Sequence, residues 1–239
     1  MLIDMHAHTS GISRCCRIPY DKVIDIALER GIDGIVLTNH YQRAYVTDGD
    51  ADAFARRYIE EYHRTREYGE RVGAVVFFGV EVTMEKHGGA HLLVYGTGER
   101  FVTDNPEMYE YTQRELYEKV KAAGGVCIQA HPYRKSPNLL DTAYLDGVEI
   151  NCHPLYGKSD AADMIAIARE SNITLTCGGD YHADTYRPRC GTYLPESVRD
   201  SIAVARYLAD AEEVSLLIHE PNTPEPYSFE YNRRTGEGK

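Results

Sequence analysis

Two histidines two residues apart, in Ile3-Asp4-Met5-His6-Ala7-His8-Thr9, are the first residues of this chain whose types and spacing point to chemistry. The setting is apolar and strand-like. Side chains alternate faces along a strand, so both imidazoles project to one side. Neutral imidazole is the commonest transition-metal ligand, and a pair on one face can close on a single ion at about 2.0–2.1 Å per bond. Taken alone, a His-x-His pair is also an ordinary accident of composition. The other ligand-type residues separate these two readings. His40 follows Leu37-Thr38-Asn39, Glu81 follows Phe77-Phe78-Gly79-Val80, His131 follows Gln129-Ala130, and Asp180 and His182 follow Cys177-Gly178-Gly179. Each stands at or just past the C-terminal end of an apolar run.

The elements that must position them alternate between strand-like runs and helix-period segments, the pattern of parallel strands joined by crossover helices. Strands are expected at 2–5, 34–38, 74–82, 91–95, 126–130, 147–151, 174–178 and near 214–218. The 91–95 strand returns after the Gly88-Gly89 turn. Helices are expected at about 20–30, opened by Pro19 and stopped by Gly31, and at about 51–72, 106–123, 159–171 and 196–210. In a parallel barrel the strand C-termini share one face, where residues far apart in sequence converge into active sites. The expected class is therefore α/β, a single TIM-like barrel over residues 1–219. A polar tail with three prolines, 220–239, is expected to have little order.

Composition fits one globular unit and limits its partners. Of 239 residues, 43% are hydrophobic, enough for a sizeable core. Lys+Arg 26 against Asp+Glu 37 gives a net charge of −11, which repels a nucleic-acid polymer. No stretch approaches the roughly 20 apolar residues that cross a bilayer, and no signal-like segment precedes Leu2. A cytoplasmic location without membrane association is expected. The six cysteines include no C-x-x-C pair and are expected to be reduced, most of them structural. The 19 tyrosines, beside no tryptophan, read as packing residues and name no substrate.

In order along the chain, Asp4-Met5-His6-Ala7-His8-Thr9, Thr38-Asn39-His40, Gly79-Val80-Glu81, Ala130-His131-Pro132 and Gly179-Asp180-Tyr181-His182 resemble the motifs of the PHP family, the polymerase and histidinol phosphatase superfamily of metal-dependent phosphoesterases. The resemblance spans residues 4 to 182. It implies a distorted (β/α)7 barrel with two or three divalent ions (zinc, manganese or iron) at the strand C-termini. Carried over by position, it implies that His6, His8, Glu81 and Asp180 bind the first ion and that Glu81 bridges to a second. The second would also take His131 and a histidine after the Glu81 motif. His91 is preferred for that role; His87, its competitor, precedes the Gly88-Gly89 turn. A third ion would take His40, His182 and a ligand from the segment after His8. Here the chain departs from the pattern. Many relatives carry Asp or His five or six residues after the second histidine, where this chain has Ser13 and Arg14. Cys15, one position later, either supplies a thiolate or packs beneath the loop with Cys16.

Such a centre suits a phosphate ester. Bridged ions lower the pKa of water toward about 7, neutralise phosphoryl oxygens and orient in-line displacement, so no Ser or Cys nucleophile is needed. The expected activity is hydrolysis of a small phosphorylated substrate, a monoester or nucleotide, with Glu81, Asp180 and His182 as the residues closest to the chemistry. His182 is the candidate acid to the leaving group if the third site is empty. Asp4 reads either as a partner that orients a ligating histidine or as a buried polar residue of the strand. Arg134 and Arg187 are candidate phosphate contacts, Lys158 a weaker one, and His153 lines the pocket or forms the turn before Pro154. Alternatives are a 3′-to-5′ exonuclease or proofreading module, and a metal-binding regulatory domain without catalysis. The amidohydrolase superfamily also places His-x-His on a first barrel strand, but it bridges its metals with a carboxylated lysine, and no lysine stands at the Glu81 site.

Overall fold

The computed structural model describes residues 1–133, 138–153, 161–185, 188–221 and 223–235. Seven strands form the barrel: β1 (Leu2–Ala7), β2 (Gly34–Leu37), β4 (Val75–Met84), β5 (Ala90–Tyr95), β6 (Val126–Ala130), β7 (Gly147–Asn151) and β8 (Thr174–Gly178), with the two-residue β3 (His40–Tyr41) set against β4. The β1–β2, β2–β4, β6–β7 and β7–β8 pairs are parallel. β5 is antiparallel to both its neighbours, as a hairpin after the Gly88-Gly89 turn requires. That reversal brings the first residues of β5, not its last, to the face formed by the C-termini of the other strands.

Helices α1 (Tyr20–Glu29), α2 (Ala51–Val72), α3 (Gly98–Asp104), α4 (Gln113–Ala122), α5 (Ala161–Ser171) and α6 (Ser201–Asp210) complete the fold. α1 buries Val23, Ile24, Ile26 and Ala27, and α2 buries Phe54, Ala55, Tyr58 and Tyr62. Full burial of each large apolar side chain contributes about 1.5–3 kcal/mol. Ile3, Met5, Phe77, Leu93 and Ile128 form an inner apolar cluster that continues onto Val204, Ala205 and Leu208 of α6.

The barrel is nearly closed, and the reason it is distorted lies at the β1 edge. β9 (Gly191–Tyr193) pairs antiparallel with β1 through Leu2 and Ile3. It thereby occupies the edge that β8 would need for a full ladder. β8 meets β1 only above that point, where Asp180 N–H donates to His6 O at 2.9 Å and Gly179 N–H donates to the Asp4 carboxylate at 2.8 Å. β10 (Glu213–Ile218) and β11 (Tyr227–Asn232) extend the sheet beyond β9.

Several bounds differ from the sequence expectation, each for a local reason. α4 starts at Gln113, not near 106, because Thr112 and Glu115 form a capping box that fixes its first turn. α6 starts at Ser201, not near 196, because the Asp200 carboxylate caps Ala203 N–H. The segment from Glu220, expected as a tail of little order, contributes β11. Its alternation buries Tyr231 while the backbone completes β10's ladder. No helix among the described residues is long and apolar enough to cross a membrane.

Candidate metal centre

The barrel mouth gathers histidines and carboxylates from six elements. β1 supplies His6, with His8 just beyond it, and its register against β2 shifts between Asp4 and Ala7, a bulge that separates the apolar Ile3 and Met5 from the two histidines. β3 pairs His40 opposite Glu81 of β4. The reversed β5 presents His91, which pairs opposite Ala130, the residue before His131. Asp180 and His182 follow β8.

Glu81 is the hub. Its Oε1 lies 2.6 Å from His91 Nδ1, 3.2 Å from His131 Nε2 and 3.4 Å from His6 Nε2. Its Oε2 lies 3.4 Å from His8 Nε2 and touches His40 Nδ1. Asp180 Oδ1 stands 3.0 Å from His8 Nε2 and 3.4 Å from His6 Nε2, and Oδ2 stands 3.8 Å from His131 Nε2. At the rim, His182 Nε2 is 3.4 Å from His40 Nε2. Two ligand atoms each about 2.1 Å from one ion sit ~3.0–3.4 Å apart at octahedral or tetrahedral angles. Most of the distances around His6, His8, Glu81, His131 and Asp180 fall in that range. The set also leaves valence unmet: His6 Nε2, His40 Nδ1 and Glu81 Oε2 are buried without a hydrogen bond. Buried polar atoms are almost always paired, so such a cluster of exceptions fits residues arranged around a cation.

Beneath these residues, a layer of polar side chains fixes their orientation. His6 Nδ1–H donates to Glu149 Oε1 at 2.8 Å, which leaves Nε2 to face the mouth. Glu149 Oε2 accepts from His131 N–H at 3.1 Å and from the Asn151 amide at 2.9 Å. His8 Nδ1 is held by Ser13 Oγ at 3.1 Å, and Ser13 Oγ in turn donates to Asn39 Oδ1 and accepts from His40 N–H. Gly178 makes room for the His6–Glu149 pair, since a Cβ there would lie 2.5 Å from His6 Cβ and 2.7 Å from Glu149 Oε1. His131 and Asp180 adopt positive φ, 30° and 47°, a left-handed backbone uncommon outside glycine and often found at functional sites.

Electrostatics favours the charge states that a cation requires of its carboxylates. Burial alone would raise Glu81, but His40, His91 and His6 hold it well below the usual range. Asp180 is held down in the same way by His6 and His8. Burial and the neighbouring His182 and His40 lower His8, and burial lowers His91 to about 4, so both are neutral imidazoles. His6 and His40 are different. Burial would lower them, yet Glu149 and Asp180 raise His6 well above normal, and Glu81 raises His40 to about 10.

The mouth thus brings together His6, His8, His40, Glu81, His91, His131, Asp180 and His182. His87 lies apart, its Nε2 accepting Gln113 N–H at 2.9 Å. The adjacent cysteines separate: Cys15 is exposed beside His40 and His182, whereas Cys16 is buried under the loop. Burial raises Cys16 to about 12; at Cys15 the opposing burial effect is outweighed by hydrogen bonds from His182 and His40, which bring it to about 5. The His153 ring sits 6.4 Å from that of His182, at the edge of the centre. Arg134, Lys158 and Arg187 lie outside the described residues. Asp4 does not orient a ligating ring; its Oδ1 accepts the backbone N–H groups of His6 and Gly179 and ties β1 to β8. Sequence reasoning missed Glu149 and Ser13. Glu149 carried a usable signal, an acidic residue inside an otherwise apolar buried strand.

The sequence matches no family model and no curated protein. Solved structures are similar in three dimensions. A two-domain protein from Bacteroides vulgatus that contains a predicted PHP-like metal-dependent phosphoesterase superposes with a TM-score of 0.66 at 16% identity, covering 97% of this chain and 75% of that one. The fold is that of the PHP-like phosphoesterases. PsfC from Pseudomonas syringae shares it with a TM-score of 0.65 at 19% identity over 91% of each chain. An amidohydrolase from Chromobacterium violaceum is more distant, with a TM-score of 0.51 at 17% identity over 84% of this chain and 94% of that one. On this PHP-like barrel the ligand-type residues gather at the mouth formed by the C-termini of the parallel strands and the start of β5, with Glu81, not a lysine, at the centre of the cluster.

Proposed function

We propose that this chain is a metal-dependent phosphoesterase that hydrolyses a small phosphate ester, a monoester or nucleotide. The observation that carries the reading is Glu81: one fully buried carboxylate faced by five imidazoles, with unpaired ligand atoms around it. His6, His8, Glu81 and Asp180 would hold one divalent ion, and Glu81, His91 and His131 a second. Bound there, the ions would supply an activated water and neutralise charge on the phosphoryl group. The chain's own groups do the rest. Glu149 and Ser13 accept from Nδ1 of His6 and His8, so that Nε2 of each is directed at the mouth and is the atom left to meet a metal. His182 stands at the rim with His153 nearby and, where no third ion is held there, is the candidate to return a proton to the leaving group.

The net charge of −11 favours a small substrate over a nucleic-acid polymer. The test is turnover of an aryl phosphate and a panel of sugar phosphates, nucleotides and bisphosphates by protein of measured metal content. Phosphate release that tracks metal supports the reading. Faster cleavage of single-stranded DNA than of monoesters moves the assignment to a nuclease.

A further inference from the structure

We propose that the cavity beside His91 and His131 is a specificity pocket for the organic part of the substrate, that it takes an uncharged, hydroxyl-bearing group, a sugar or polyol, and that Thr83 selects it. This names the substrate class of the phosphoesterase reading and rests on that reading. The sheet register builds the pocket. Thr83 stands two residues beyond Glu81 on β4, on the same face, and pairs opposite His91, which in turn pairs opposite Ala130. One row across three strands thus carries a hydroxyl, an imidazole and a methyl. The methyl leaves space beside the imidazole, and the Gly88-Gly89 turn on the same wall adds no side chain. The result is a cavity of about 270 Å³ that shares His91 and His131 with the mouth.

Thr83 is 7% exposed, and its Oγ1 is buried in this wall without a hydrogen bond. Buried hydroxyls are almost always paired, and one that both donates and accepts is matched by another hydroxyl. The neighbouring wall is fixed by the chain itself. Gln129 Nε2–H donates to Asn138 O at 2.5 Å, and Leu140 N–H donates to Gln129 Oε1 at 2.9 Å, so the Gln129 amide is already used. Thr83 is the buried polar side chain left to meet a ligand. Among the described residues of the wall, the only ionisable groups are His91 and His131, and no tyrosine or phenylalanine offers a stacking face to a nucleobase. The volume falls below the about 300–1,000 Å³ typical of sites for drug-sized ligands, which suits one sugar or an open-chain polyol. His40 neighbours both His91 and His182, with ring centroids 5.3 and 5.5 Å away, so the pocket and the candidate proton donor flank one mouth.

The test is calorimetric titration of metal-loaded full-length protein with the phosphonate analogues of a hexose phosphate and of n-hexyl phosphate, which bind without being cleaved, with turnover of the two parent esters followed alongside. Wild type should bind the hydroxylated analogue more tightly. Thr83→Val, which replaces the hydroxyl with a methyl, should narrow that preference about 3–10-fold by weakening the hydroxylated analogue. Thr83→Ser, which keeps the hydroxyl, should retain it. Equal binding of the two analogues by wild type, or a preference that Thr83→Val leaves intact, overturns the pocket assignment, while cleavage of the esters upholds the phosphoesterase reading. Tighter binding of a nucleoside phosphonate than of the hexose analogue overturns the sugar class. The predicted preference without cleavage of either ester overturns the phosphoesterase reading and leaves the pocket standing. Wild type that binds neither analogue overturns both.

Discussion

Two buried groups of ligand-type side chains lie on opposite faces of β8. On the inner face, the Glu81-centred cluster leaves His6 Nε2, His40 Nδ1 and Glu81 Oε2 without hydrogen bonds. Behind the strand, Cys152, Cys177 and Cys190 bring their sulfurs within 4.8 Å of one another, close enough in principle to share an ion. There the polar atoms are met. Cys177 Sγ lies 3.3 Å from Leu217 O and 3.5 Å from Cys152 Sγ, and Cys152 accepts His219 N–H at 3.4 Å. A thiol that faces a carbonyl keeps its proton, and burial pushes Cys177 and Cys190 well above the ordinary thiol range. Proximity is common to both groups. Unmet nitrogen and oxygen valence marks the first, and it is the better guide to where a cation belongs.

Glu81→Ala should produce the largest effect, abolishing both metal retention and hydrolysis. Metal analysis that finds two ions still tightly held in that variant would remove Glu81 from its bridging role. Glu149→Gln comes next. It keeps the shape but weakens the acceptor that fixes His6, and a loss of about 10–100-fold in metal affinity or activity is expected. An unchanged affinity would make Glu149 a packing residue.

The pH dependence of metal uptake sharpens the same contrast. At pH 7 the metal-free protein carries protons on His6 and His40, which ligation must displace. Uptake should therefore release protons in a pH-stat. Affinity should rise about tenfold per pH unit for each proton displaced, up to about pH 10 for His40. The sign for metal-free stability is opposite. A histidine raised to about 10 in the fold contributes fully below the ordinary imidazole pKa and loses that contribution as pH rises through about 10. The smallest effect is expected behind β8. Cys177→Ser should leave metal content unchanged and cost about 1–2 kcal/mol in a denaturant melt, whereas loss of a metal equivalent there would mean that satisfied thiols can ligate after all.

Much of the centre was legible because barrel topology sends strand C-termini to one face. His6, His8, His40, His131, Asp180 and His182 lie near the end of a strand or follow one, and Glu81 stands inside β4, which runs on to Met84 where the sequence placed a strand end near Val82, so order along the chain sufficed to group them. His91 required one step more, the reversal of β5 that turns a strand's beginning toward the mouth. Glu149 was hidden because its partner, His6, lies on a strand that does not ladder with β7, and sequence spacing carries no information about contact across a barrel. Ser13 was hidden because its role depends on the path of a loop. The same limit applies to the fold: β9 is three residues long, and only its pairing with β1 explains why β8 cannot close the barrel.

The central claim, a phosphoesterase centre built around Glu81, is tested most directly by stripping the protein of metal, restoring defined equivalents of zinc, manganese or iron, and following phosphate release from the substrate panel. The account predicts no turnover without metal and its return as the two sites that share Glu81 fill. Stoichiometric metal with no hydrolysis of any phosphoester would contradict it.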